Sequence, residues 1–222
     1  MSRPRTDHRA RRAALADAAA AVIASQGGEQ ASLRTIAAAL GVTTGVLTHY
    51  FPSKQALLRL AKERAFDRAF ARAEAAASGP AGRAQILAVV EALLPLDPEC
   101  RQVWRLLAGY LGDAAATASL RTTQTRRMRR WWALYARLID QAAQAGQVAP
   151  ALDPELTGLA VATFVEGLCL HAVTTSTPEL SRDLASFART HVDRLLGPLP
   201  APQRSASRPY ARRMERQPRA RQ

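Results

Sequence analysis

Cysteine is nearly absent from this 222-residue chain. Cys100 and Cys169 stand far apart with no second Cys or His at ligand spacing, so neither a disulfide framework nor a zinc site is suggested, and a reducing cytoplasm fits best. The chain also lacks a Gly-rich phosphate loop and a nucleophile beside an evident base. Cys169 and His171, two apart on one helix, would point about 200° away from each other. No catalytic residues, metal or cofactor are therefore expected, and an enzyme is excluded for want of material. Long apolar runs are scarce as well. The most apolar stretch, 159–173, is interrupted by Glu166 and His171 and falls short of the roughly 30 Å of hydrocarbon in a bilayer. The start, SRPRTDHRARR, has no apolar signal-peptide core. A soluble, cytoplasmic protein without a membrane partner is the expectation.

Acidic side chains are the next shortage: 18 Asp and Glu stand against 31 Lys and Arg, a formal charge of +13. The excess sits at the ends, with nine basic and three acidic residues in 1–62 and seven against one in 203–222. Such a distribution favours partners that carry phosphate or another anionic surface.

Strand signals are almost missing too, whereas Ala, Leu, Arg and Gln dominate the segments between Gly and Pro punctuation. An all-α protein of about nine helices is predicted. Leu15, Ala18, Ala19, Val22 and Ile23 give the first amphipathic stripe, stopped at Gly27-Gly28. Ser32 caps a two-turn helix that ends at Gly41; Thr43 starts another, which Pro52 closes by disfavouring helix at Phe51. Ser53 then caps a long helix to about Ala77. Asp97-Pro98-Glu99, Asp153-Pro154-Glu155 and Thr177-Pro178-Glu179 each supply an N-cap, a proline at the first helical position and a carboxylate at the positive helix end. The organisation expected is an N-terminal arm and a unit of short helices over 1–62, a larger helical domain over 63–197, and a disordered basic tail over 198–222.

A short helix, a glycine turn and a second short helix make a helix-turn-helix pattern. On a wheel of about 100° per residue, Thr44, Gly45, Thr48 and His49 share one arc, while Val42, Leu47 and Phe51 anchor the unit. Threonine offers a hydroxyl and a methyl to base edges, and Gly45 lets backbone approach closely. His49, Tyr50, Lys54 and Arg34 are placed to meet phosphates, and the arm residues Arg3, Arg5, Arg9, Arg11 and Arg12 add cations beside them. The same residues also fit plain caps and an exposed edge. A sequence-neutral nucleic-acid clamp built from arm and tail is the rival reading.

The segment SLRTIAAALGVTTGVLTHYFPSKQALL resembles the DNA-binding segment of TetR-family bacterial transcriptional regulators, with its LGV turn, its short helix ending in Tyr-Phe, and its small residue and Lys before an apolar pair. The resemblance spans about 8–62. It implies an all-helical homodimer, with three helices on double-stranded operator DNA, a linking fourth helix, and a larger domain that binds a small-molecule effector. It also implies repression of a palindromic operator. On it, Arg34, Thr44, Gly45, Thr48, His49, Tyr50 and Lys54 occupy DNA-contacting positions, Thr48 departing from the tyrosine common there. The phrase THYF, then a small residue and Lys, is similar to the choline-responsive betaine-pathway repressors.

In the larger half the aromatic residues are grouped. Trp104, Trp131, Tyr135 and Phe164, with the carboxylate Glu166, contain the ingredients of a pocket for a cation, and the choline subgroup would fit that chemistry. The same stripe also fits ordinary core. The last two helices carry small residues, Ala160, Ala162, Gly167 and Ala172, that suit a dimer contact. The run Arg126, Arg127, Arg129 and Arg130 reads as a solvated face or as pairs across a dimer.

Overall fold

A computed structural model describes residues 3–27, 30–175 and 178–199. Those residues form nine helices: α1 (Arg3–Gln26), α2 (Leu33–Ala39), α3 (Thr44–Tyr50), α4 (Lys54–Ala76), α5 (Arg83–Leu93), α6 (Pro98–Ala116), α7 (Ala118–Gln144), α8 (Pro154–Thr174) and α9 (Pro178–Leu195). The caps lie where side-chain chemistry puts them. Ser32, Thr43 and Ser53 accept from the backbone N–H groups of Thr35, Val46 and Ala56, and Asp97 and Asp153 do the same for α6 and α8. The expected cap Thr177 and the tail beyond Leu199 lie outside the described residues.

The basic arm is corrected. Residues from Arg3 onward are the first turns of α1 rather than an arm apart from it, because Arg and Ala are strong helix formers and α1 continues inward without a breaker. Between α2 and α3, Gly41 adopts φ 64°, a left-handed conformation that a side chain would strain.

Two apolar clusters organise the helices. Leu15, Ala19, Ile23, Ile36, Leu47, Phe51, Leu57 and Ala61 centre the first, which also takes in Val103 and Leu106 of α6. Ile86, Val89, Tyr135, Leu138, Ile139, Val161 and Val192 centre the second. α4 runs unbroken from one to the other: Leu57, Ala61 and Ala65 belong to the first and Ala73 to the second. One helix is thus common to both cores.

α7 and α8 pack so closely that a Cβ on Gly158 would stand 2.7 Å from the Ala136 backbone nitrogen. Gly158 and the buried Ala162 thus serve packing inside the chain, whereas a Cβ on Gly167 would meet nothing within 4 Å. α8 is also longer than the apolar stretch in the sequence: its 21 residues are enough, by length and composition alone, to cross a bilayer. It packs instead against α7, α6 and α9. Leu156 on α8 and Phe187 on α9 remain exposed at 66% and 49%.

Candidate functional site

α3 presents its polar arc outward. Arg34, Thr44, Gly45, Thr48 and His49 are exposed, Tyr50 and Lys54 half-buried, and Leu47 and Phe51 fully buried beneath them. The structure therefore brings all seven sequence-predicted positions to one end of the molecule, along α2, α3 and the start of α4. The Thr48 hydroxyl donates to the Gly45 carbonyl at 3.2 Å, which leaves its lone pairs and methyl to face outward.

Nothing in the residue pattern points to the way α1 braces this helix. Arg12 Nε donates to the Tyr50 carbonyl at 3.3 Å, and the guanidinium lies 5.3 Å from the Phe51 ring centre. His8 packs 4.7 Å from the Tyr50 ring and 5.8 Å from His49. Arg12 thus satisfies a carbonyl at the end of α3 that has no helical partner, and His8 and Arg12 of α1 together fix the orientation of α3.

A second site lies in the larger half, where α4 to α8 enclose a cavity of about 120 Å³. At roughly 10–15 Å³ for one water, it has room for a small organic molecule. Trp104, Trp131, Tyr135 and Glu166 all line it, as expected from the sequence. Phe164 does not, and this is a correction. It stacks on His191 of α9 at 4.3 Å, with Phe187 at 6.1 Å. Two residues apart on a helix means about 200° of rotation, so Phe164 cannot share the face of Glu166.

The rings are fixed by their neighbours. Trp104 Nε1 donates to the Leu93 carbonyl at 2.6 Å, and Trp131 meets Phe70 edge-on at 4.9 Å. Tyr135 is wholly buried, yet its hydroxyl has no hydrogen-bond partner among the described residues; the same holds for Oε1 of Gln124 in the same wall. Buried polar atoms normally find partners, so these two are poised for a ligand or water. Glu166 has no cation within ion-pair distance among the described residues, and burial raises its carboxyl above the ordinary value. An organic cation set between that carboxylate and the rings would supply the missing charge.

Several wall residues escaped sequence reasoning. Phe66 and Phe70 lie on α4, and Arg68, Arg72, Arg127 and Arg130 also line the cavity. Of the arginine run on α7, only Arg126 and Arg129 form the expected solvated face, together with the outer side of Arg130. Arg130 lies 4.1 Å over the Phe70 ring and pairs with Asp67 at 3.5 Å, while Arg127 lies 4.4 Å over Phe66. Their signal was positional: 127 and 130 fall on the turn of α7 that ends at Trp131.

One arginine joins the cavity to the other half of the molecule. Arg68 lines the wall, binds Asp17 of α1 and stands 3.5 Å from Glu99 of α6. Arg64 adds a two-pronged hydrogen bond to the same aspartate at 2.8 and 2.6 Å. Burial works against charge on Asp17, but hydrogen bonds from Arg64 and the charge of Arg68 hold its carboxyl below the ordinary value.

Known proteins match both halves of the chain. Residues 15–61 match the family of bacterial regulatory proteins named for TetR, and residues 82–197 match the C-terminal region of BetI-type transcriptional repressors. The HTH-type transcriptional regulator BetI of Burkholderia thailandensis is 30% identical over 191 residues, covering 85% of this chain and 94% of that protein. A TetR-family transcriptional regulator from Rhodococcus sp. superposes with a TM-score of 0.69 at 25% identity, over 84% of this chain and 98% of that one. A transcriptional regulator from Saccharomonospora viridis, solved in complex with choline, gives 0.72 at 22% identity, over 82% and 92%. The chain belongs to the TetR family of bacterial transcriptional regulators, as a ligand-responsive DNA-binding regulator with a BetI-type repressor C-terminal domain.

Proposed function

We propose that this regulator reads a palindromic operator through Arg34, Thr44, Gly45, Thr48, His49, Tyr50 and Lys54, and leaves it when a compact organic cation fills the cavity bounded by Trp104, Trp131, Tyr135 and Glu166. The observation that carries the effector reading is a carboxylate with no cationic partner among the described residues, set in a wall of aromatic rings. The choline found in the Saccharomonospora viridis relative supports the same ligand class. The working division is a reading unit over 1–62 and a sensing and dimerising unit over 63–197, in a cytoplasmic regulator without enzymatic activity. The dimer forms through α8 and α9, where Leu156, Leu159 and Phe187 expose apolar surface.

Release needs a physical link between the sites. Arg68 provides one, since a cation bound in the cavity repels its guanidinium and so changes its hold on Asp17 and Glu99. α1 then shifts with the reading helix that it braces. Dimeric helix-turn-helix proteins set their two reading heads about 34 Å apart or a multiple of it, so a small rotation of α4 is enough to misalign them. The test is to titrate choline while following tryptophan emission, in the parent and in Glu166→Gln. Saturable quenching or enhancement in the parent, weakened at least about tenfold in the variant, supports the reading. Equal response in both proteins defeats it.

A further inference from the structure

The cavity has an anionic end, and one cation in its wall has no anion beside it among the described residues. Arg68 is committed to Asp17 and Glu99, Arg72 to Asp97 at 2.7 Å, and Arg130 to Asp67. Arg127 has no carboxylate within ion-pair distance among the described residues. Glu63 and Asp67 reach it only through longer-range fields, and Arg126 opposes it. It is half-buried and held over Phe66 and, at 5.4 Å, over Tyr110. Burial depresses its pKa below the usual arginine value, whereas hydrogen bonds to Asp17 and Asp97 help raise those of Arg64 and Arg72. One turn before it on the same face, Gln124 has an amide oxygen that is buried and unpartnered among the described residues. The amide can equally be turned to offer its N–H.

The rings give the spacing. Phe66 meets Arg127 and Phe70 meets Trp131, so the arginine and the tryptophan that would face a bound cation are four residues apart on α7, as are the rings they meet on α4. That is about one helical turn, a rise of about 6 Å. We propose that the effector is a zwitterion, whose ammonium sits against Glu166 and Trp131 and whose anionic oxygens, carboxylate or phosphate, are received by Arg127 and Gln124. This rests on the cation reading above and adds the second pole. A planar guanidinium braced by two rings is pre-organised to take two oxygens at once. A neutral hydroxyl, as in choline, would leave that cation unmatched.

The test compares choline, glycine betaine and phosphocholine by calorimetry on the full-length dimer, with inorganic phosphate as control. The parent should bind phosphocholine or glycine betaine at least about tenfold more tightly than choline. Arg127→Met, which keeps the aliphatic stem over Phe66, should bring the zwitterions to within about threefold of choline, with no loss of choline binding. Choline binding as tightly as both zwitterions in the parent overturns the inference while the cation reading stands. Arg127→Met weakening every ligand alike overturns it too, since the arginine would then only support the wall. If no ligand binds the parent, the cation reading fails and this one with it. Should Arg127→Met not fold, the parent's own ratio of affinities still decides.

Discussion

The reading surface and the cavity are finished in opposite ways. On α2 and α3 the polar groups point outward, their caps satisfied by Ser32 and Thr43, and the apolar anchors Leu47 and Phe51 are completely buried. The cavity wall carries rings together with the Tyr135 hydroxyl and the Gln124 Oε1, which have no hydrogen-bond partner among the described residues, and Glu166, which has no cation within ion-pair distance among them. The first surface is complete without a ligand and needs only a long polyanion laid across it. The second is incomplete, and filling it changes the balance of charge on Arg68, which both halves share. On the proposed function, that asymmetry would give constant recognition to one end and control to the other.

Leu47→Ala separates the halves most severely. It should destabilise the first core by about 2–5 kcal/mol and abolish operator binding, whereas choline binding followed by tryptophan emission survives. Loss of both together would mean that the two cores do not unfold separately. Tyr50→Ala with Lys54→Ala should come next, weakening all DNA binding by about 1.5–3 kcal/mol for each charged hydrogen bond removed and lowering the salt slope by about one. Filter binding across a salt series reads both effects. Arg68→Ala should leave operator affinity and choline affinity each within about threefold, yet remove the coupling between them, which for such systems is about 1–3 kcal/mol. Thr44→Val should alter which base is preferred by about 1–3 kcal/mol with little change on bulk DNA, as selection from random sequence would reveal.

A pH experiment sharpens the cavity side alone. Burial raises the carboxyl of Glu166 in the folded state, so ionising it costs stability as pH climbs through the ordinary carboxylate range toward that raised value. Below the unfolded value the penalty is absent. Glu166→Gln should therefore raise the melting temperature at pH 7 and not at pH 3.5. Cation affinity of the parent should fall as pH drops through the raised pKa, because the carboxylate is lost. A melting difference that does not depend on pH would mean Glu166 is not held ionised in an apolar setting.

Local chemistry was the legible part of the sequence. Ser32, Thr43, Ser53, Asp97 and Asp153 all cap the helices expected of them, because a cap is decided within four residues. Trp104, Trp131, Tyr135 and Glu166 were readable as a group by residue type. Phe164 was misassigned although helical geometry alone sets it opposite Glu166, the same reasoning that parts Cys169 from His171. The truly hidden residues needed tertiary knowledge. Phe66 and Phe70 sit on a helix whose two ends serve different cores, so periodicity could not say which neighbour each would meet. Arg12 read as part of a basic arm, whereas α1 begins at Arg3 and carries His8 and Arg12 onto α3.

Control of the operator by a cation in the cavity is tested most directly by the fluorescence anisotropy of a labelled palindromic site, selected from random DNA by this protein, measured with and without saturating choline. Operator affinity should fall at least about tenfold with choline in the parent and stay unchanged in Arg68→Ala. If choline saturates the tryptophan signal of the parent while its operator affinity does not move, cavity and reading helix are not coupled, and control from the cavity is refuted.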